Sequence, residues 1–332
     1  MKPKTVPMRS VLAGALAAIA ALLMLASGAA LAQAWPTKPV RIVHGFGSGG
    51  PADIFARLMA AFLTERLGQQ VIVEGKPGAG STVGANHVAK SDPDGYTLYL
   101  MVSGHSTAPG LYKSLPYNAA EDFTMISMLA NSPFAILVPP GSSYASVQDL
   151  IRVARAEPGA IAYGTAGVGS GMHLVAVLLE ASVGIRMNHI PYKGGNASNM
   201  ALIAGEVPVV FNAVAGLAPL IESGRLRLLA VTSKERYAPL PNVPTLAETV
   251  LPGFDARAWY ALAGPRKLPA PIVSKLNELV HSALNNRSFA EKVLTQGAQP
   301  WPTSPREAQE FLASEVSRWT KAIGESKIQL TQ

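Results

Sequence analysis

The sequence predicts an α/β protein built as two doubly wound lobes with a central ligand cleft. Short β-rich runs alternate with longer amphipathic stretches, which is the pattern of parallel strands joined by crossover helices. The alternation begins again near Phe134, so the second half repeats the architecture of the first without repeating its sequence. Several strand ends run straight into glycine-rich turns. In an open α/β sheet, ligands bind beyond those carboxyl ends.

In the first series, Val40–His44 reads as a strand and 45–50 as a loop. Ile54, Leu58, Phe62 and Leu63 recur at helical spacing over Asp53–Leu67, and Gly68 ends that helix. Val71–Glu74 is the next strand. Ser81 or Thr82 is expected to cap a helix to about Lys90. A turn at 92–95 then leads into the strand Tyr96–Val102. The second series takes Ala135–Pro139 as its first strand, with Ser146 capping a helix that ends near 158–159. The strand Ile161–Tyr163 and a helix from His173 to Val183 follow. Next come the strand Met187–Pro191, a helix over Asn196–Ala204, and strands at Val207–Phe211 and Arg227–Val231. A proline-rich connector leads to a return strand at Ala256–Ala263. Two amphipathic helices, roughly Ile272–Asn285 and Pro305–Ile323, close the chain and are expected to pack back on the first lobe.

Residues 1–32 read as a secretory signal peptide. Lys2, Lys4 and Arg9 form a positive head, Val11–Leu25 is almost purely apolar, and Ala30-Leu-Ala32 is a small-x-small cleavage site. The expected location is the periplasm. The formal net charge is +7, and three of the positive charges lie in this leader, which leaves +4. Scattered Lys and Arg at that excess argue against nucleic acid, which leaves a basic stripe, and suit a small anion. The chain has no Cys, which excludes disulfides, thiolate metal sites and thiol nucleophiles.

The glycine loops suggest where an anion binds. Glycine lets the backbone come close, and the first N–H groups of the following helix carry partial positive charge. The candidate loops are 45–53, 80–81, 103–106, 165–171 and 192–195. The ligand-binding residues expected from them are Phe46, Gly47, Ser48, Gly49, Gly50, Ala52, Asp53, Ser81, Ser103, His105, Thr165, Gly167, Ser170, Gly171, His173, Tyr192 and Lys193. Asn212, at the end of a strand, joins this set.

Several of these residues have a plainer reading. Asp53 sits in a first helical turn four residues before Arg57, an ordinary stabilising pair. His44 and His105 fall at strand ends, where a lone His is usually a satisfied structural residue. Lys193 could be an ordinary solvated lysine. Trp259 and Tyr260 are expected mainly as core packing, with an aromatic wall as the alternative.

Gly45-x-Gly47-x-x-Gly50 fits the dinucleotide fingerprint, and Glu74 closes the second strand where a ribose-binding acid would sit. This leaves an exported NAD-dependent enzyme as an alternative. Against it, an exported protein meets little NAD, and the second half offers no catalytic centre. The chain lacks G-x-x-x-x-G-K-[ST], G-x-S-x-G and H-E-x-x-H. His44, His87, His105, His173, His189 and His281 show no metal-ligand spacing. No catalytic residue, metal or cofactor is expected.

Ordered motifs along nearly the whole mature chain carry a resemblance. They include Trp35-Pro-Thr-Lys-Pro-Val-Arg-Ile-Val43, Gly49-Gly-Pro-Ala-Asp53 with Ala56-Arg57, and Val73-Glu-Gly-Lys-Pro-Gly-Ala-Gly80. Further on come Asp94-Gly-Tyr-Thr-Leu98, Leu115-Pro-Tyr117 with Asp122-Phe123, and Tyr163-Gly-Thr-Ala-Gly-Val-Gly-Ser170 with His173-Leu174. Ile190-Pro-Tyr-Lys-Gly194, Gly224-Arg-Leu-Arg227 and Leu240-Pro-Asn-Val-Pro-Thr245 complete the series. The chain resembles the Bug-type substrate-binding proteins of tripartite tricarboxylate transporters.

The resemblance implies a type II periplasmic binding protein, non-catalytic and monomeric, that closes on a small organic carboxylate. Di- and tricarboxylates, acidic amino acids and aromatic acids are the implied ligands. It also implies delivery to a permease of a large and a small subunit, with a receptor for a sensor kinase as a variant role. The lobes are expected at 33–130 with 262–332, and at 131–261. Two departures stand out. Relatives often read Val-Pro-Phe-Ala-Pro-Gly-Gly in the first loop, where Gly45 and Ser48 replace prolines. They often carry a second glycine where this chain has Ser81. The first loop is therefore expected to be looser and more polar.

Overall fold

The computed structural model describes residues 35–325; the expected leader lies outside them. The first half runs β1 (Val40–His44), α1 (Pro51–Leu67), β2 (Val71–Gly75), α2 (Thr82–Ala89), β3 (Thr97–Val102) and α3 (Gly104–Leu111). A long strand, β4 (Phe123–Val138), leads into α4 (Val147–Ala156), β5 (Ala162–Thr165), α5 (Gly171–Val183) and β6 (Asn188–Pro191). Then follow α6 (Gly195–Ala204), β7 (Val209–Ala213), α7 (Ala218–Glu222) and β8 (Arg227–Val231). The chain returns through α8 (Leu246–Thr249) and β9 (Arg257–Pro265). It finishes with α9 (Ala270–Asn285), α10 (Arg287–Thr295), β10 (Gln299–Pro300) and α11 (Pro305–Glu325).

Helix ends follow local chemistry. Pro51 opens α1, where its missing N–H costs nothing, and Gly68 closes it in the left-handed conformation. Ser146 and Asp149 form a reciprocal capping box on α4. The Ser170 hydroxyl accepts the His173 amide at the start of α5.

The strand order repeats. In the first half it is β2-β1-β3-β9-β4, with β1 parallel to β2 and β3 and with β9 antiparallel to β3 and β4. In the second it is β6-β5-β7-β4-β8, with β5 parallel to β6 and β7 and with β4 antiparallel to β7 and β8. Each half therefore receives its antiparallel strand from the chain crossing over from the other. Within β4, Phe123 to Pro133 pair with β9, while Phe134 to Leu137 pair with β7. At this crossing the Thr232 amide donates to the Phe134 carbonyl at 3.0 Å, and the Thr232 hydroxyl accepts the Phe134 amide at 2.9 Å.

Two cores result. In the first, Val43, Tyr99, Met101 and Trp259 pack with Ala308 and Leu312, so α11 lies back on the first half as expected. Trp259 is a core residue. The second gathers Leu137, Leu202, Val210 and Val231.

The structure corrects four expectations. The strand expected from Ala135 begins at Phe123. Pro133 sits where β4 passes from β9 to β7, and its missing N–H is tolerated at that switch of partners. Residues 104–111 form a helix rather than a loop, despite Gly104, Pro109 and Gly110. Gly110 lies against α11, where a β-carbon would come within 2.7 Å of Ile323 Cδ1, so packing overrides propensity. Ser81 precedes α2 but its hydroxyl does not cap it; it bonds the Tyr99 hydroxyl at 2.7 Å instead. A third C-terminal helix, α10, stands between the two expected, capped by Asn286.

Candidate functional site

The loops at the carboxyl ends of the strands from both halves face one another. The Gly47 amide donates to the Lys193 carbonyl at 3.0 Å. The Tyr112 hydroxyl donates to the Val168 carbonyl at 2.9 Å. A β-carbon on Gly47 would lie 2.6 Å from that Lys193 oxygen, so only glycine permits this approach.

Two connected cavities open along this seam. The inner one is narrow, with a volume of about 30 Å³. Phe46, Gly50, Pro51, Ala52, Val102, Ser103 and Gly104 line it from the first half. Ala166, Gly171, Met172 and Gly195 line it from the second. Phe134, Ala258 and Tyr260 come from the strands that cross between halves. The outer cavity, about 310 Å³, shares Phe46 and Ala166 with the inner one and reaches out past residues 77–81, Gly167, Tyr192 and Lys193.

Four helices begin at the inner cavity: α1 at Pro51, α3 at Gly104, α5 at Gly171 and α6 at Gly195. The first-turn amides of a helix have no partner within it. Together with the aligned peptide dipoles they favour an anion. No lining residue of this cavity is charged.

The expected residues divide by position. Phe46, Gly50, Ala52, Ser103 and Gly171 line the inner cavity, and Ser81, Gly167, Tyr192 and Lys193 line the outer one. Gly47 is at the seam. Ser48 and Gly49 are exposed at the loop tip.

The remaining members lie behind these walls, in structural contacts. Asp53 is buried; it accepts the Gly49 amide at 3.0 Å and Arg57 Nε at 2.9 Å, and its other oxygen lies 3.3 Å from His44 Nε2. Burial raises the Asp53 carboxyl, but the Arg57 and Gly49 bonds and the nearby positive charge outweigh it, so the group stays below the usual carboxylate range. Burial lowers His44 despite Asp53, which keeps it neutral.

His105 lies in an aromatic nest outside both linings. Its Nε2 meets the Ala119 carbonyl at 2.8 Å, and Tyr117 stacks on the ring. Burial pushes it down to about 4, against the Ala119 bond. Ser170 caps α5, and His173 Nδ1 accepts the Gly169 amide, so His173 carries its proton on Nε2 when neutral. His173 stacks on His189 at 4.2 Å, and His189 meets the Thr165 hydroxyl at 2.7 Å. Burial holds His173 at about 4, and burial with the His173 charge holds His189 at about 3. Asn212 donates to the Gly195 carbonyl and to Asn199, and fixes the start of α6.

The candidate loops contained Pro51, Gly104, Ala166 and Gly195, although none of the four was named as ligand-binding; Val102, Met172 and Ala258 lay outside both. Phe134 required knowing that β4 passes beneath the cleft, and Tyr260 takes the alternative reading of an aromatic wall.

The dinucleotide reading finds no support here. The Gly47 amide is committed to Lys193, and Glu74 pairs with Lys76. Among the described residues no group of three or more His, Cys, Asp or Glu could hold a metal.

The repeated strand order, the cleft between halves and the converging helix starts define a two-lobed solute-binding protein of type II architecture. Residues 55–328 match the family described as tripartite tricarboxylate transporter family receptor. The chain belongs to that family, the Bug-type solute receptors, which are binding proteins and not enzymes. It is 34% identical over 301 residues to protein BugT of Bordetella pertussis, spanning 90% of this chain and 92% of that one. The solved structure of Rhodopseudomonas palustris Rpa4515 with adipate is 34% identical, with a TM-score of 0.83 over 88% of this chain and 98% of that one. MatC from the same organism, with bound malate, is 30% identical, with a TM-score of 0.83 over 87% of this chain and 100% of that one.

Proposed function

We propose that this chain is exported to the periplasm, captures a small organic carboxylate between its lobes, and presents it to the membrane subunits of a tripartite tricarboxylate transporter. The convergence of four helix starts on one cavity with no charged residue in its lining carries this reading. Such a site binds an anion through main-chain amides without burying a lysine or arginine. The adipate and malate in two relatives support the same ligand class.

The lobes are assigned to 33–130 with 262–332 and to 131–261, so that both boundaries fall within strands β4 and β9. The ligand side is assigned to the expected residues that line the two cavities or the seam. Closure follows from tighter binding in the closed arrangement, where both sets of helix starts reach the ligand at once. Export rests on the leader at 1–32, with cleavage after Ala32.

The test is a thermal-shift screen of the mature chain with citrate, glutamate, succinate, adipate, terephthalate, protocatechuate and nicotinate. A bound acid at a hundred times its Kd adds about 2.7 kcal/mol to stability. The reading fails if no carboxylate raises the melting temperature.

A further inference from the structure

The side chains that line the inner cavity are mostly hydrocarbon. Its hydrogen-bond donors are main-chain amides at helix starts and the Ser103 hydroxyl, which faces the beginning of α5: a β-carbon on Gly171 would lie 3.0 Å from Ser103 Oγ. The space beside them is bounded by Phe46, Val102, Phe134, Met172 and Ala258, which offer no polar side-chain atom beyond the soft Met172 sulfur. Tyr260 also lines it, with its ring centroid 4.5 Å from that of Phe55. Burial raises its phenol, with Ser132 as the opposing influence. The lining therefore offers a carboxylate main-chain donors and one hydroxyl, while most of its side chains are hydrocarbon.

We propose that this receptor selects acids whose body carries no hydroxyl or amino substituent, whether saturated or aromatic, over their hydroxylated or aminated counterparts. The proposal rests on the carboxylate reading above and narrows it. A hydroxyl carried into an apolar wall loses its water and gains no partner. That cost corresponds to roughly a 10- to 100-fold loss of affinity. The carboxylate itself contributes equally to both members of a matched pair, so the wall alone decides between them.

Calorimetric titration of the mature chain with matched pairs tests this: succinate with malate, glutarate with 2-hydroxyglutarate, glutarate with glutamate, and phenylacetate with mandelate. The expected result is at least about tenfold tighter binding of the unsubstituted member in every pair that binds. Equal or tighter binding of the substituted member in any pair overturns the proposal, as does binding of citrate when no unsubstituted acid binds. Absence of binding by every carboxylate overturns the carboxylate reading itself, a distinguishable outcome. Val102→Thr places a hydroxyl in the wall with little change of shape, and Met172→Gln places an amide there. Either variant, once its melting curve shows a folded chain, is expected to narrow the gap by raising affinity for the substituted acid. Two folded variants that leave the gap unchanged also overturn the proposal.

Discussion

Gly45 lies directly beneath Ser81: a β-carbon on Gly45 would penetrate the Ser81 side chain, 2.6 Å from its Cβ and closer still to its hydroxyl. The two departures from the family pattern therefore meet in space. A proline is absent at 45 where a serine has replaced glycine at 81. Ser81 holds φ of +89°, an unusual conformation for a residue with a side chain. Its hydroxyl bond to Tyr99 at 2.7 Å helps keep it there. The expectation of a loose first loop is thus corrected at its start, since Gly45 is packed and Phe46 is buried.

Gly45→Ala is expected to lower stability by about 2 kcal/mol or more through overpacking against Ser81. Ser81→Gly should restore part of that loss, because it removes the side chain but leaves the nearby backbone. A double-mutant cycle by chemical denaturation measures the coupling. Strictly additive losses would show that the two loops do not constrain each other.

The Tyr112 hydroxyl bonds the Val168 carbonyl across the cleft. A bond made only when the halves meet favours the closed state. Tyr112→Phe is expected to weaken ligand binding by roughly 2- to 10-fold, the equivalent of one neutral hydrogen bond. Titration calorimetry gives the affinity, and small-angle scattering of the ligand-free variant reports a larger mean dimension. Unchanged affinity would remove this contact from the closure mechanism.

Acid should destabilise the protein through its buried histidines. In an unfolded chain histidine takes up a proton near pH 6.5, but in the folded protein His105 and His173 wait until about 4 and His189 until about 3. Between those values the unfolded state binds more protons, so stability rises with pH. It is complete above about pH 6.5 and declines as pH falls toward 4. His105 is fully buried and accounts for on the order of 3 kcal/mol of this slope. Denaturation midpoints across pH 4–7 should show a shallower decline in His105→Gln than in the native chain.

Thr232 joins the two crossings, since its hydroxyl accepts from Phe134 and donates to the Ala256 carbonyl at 2.6 Å. Thr232→Val keeps the shape and strands the buried Phe134 amide. The expected loss is about 1–3 kcal/mol, read from urea midpoints at constant slope. A variant as stable as the native chain would show that the backbone bonds at this position suffice.

Much of the architecture was legible because its signals are local. Gly68 marked the end of α1, and Ser146 marked the start of α4. The glycine turns pointed to the strand ends that line the cleft. What escaped depended on distant contacts. Nothing near Asn131-Ser-Pro133 shows that one strand changes partners there, and nothing near Gly110 shows that α11 will cover it. For the same reason Phe134 was invisible as a wall of the inner cavity, and Tyr260 stood as one only in the alternative reading. His105 fits its plainer reading as a satisfied structural histidine better than the ligand-binding one. Its position after a strand pointed to the ligand, but its ring turns back among Tyr117 and Phe123, which lie well downstream in sequence.

The continuous run from Phe123 to Val138 has a bearing on how the molecule can be divided. It pairs with β9 and the short β10 in one half and with β7 and β8 in the other. Scissors placed at either end of that run leave one fragment short of a partner and the other with a surplus ribbon of bare amides. Separately expressed halves should therefore aggregate or stay unstructured until mixed, and the intact chain should melt in a single cooperative step even though it works as a pair of jaws.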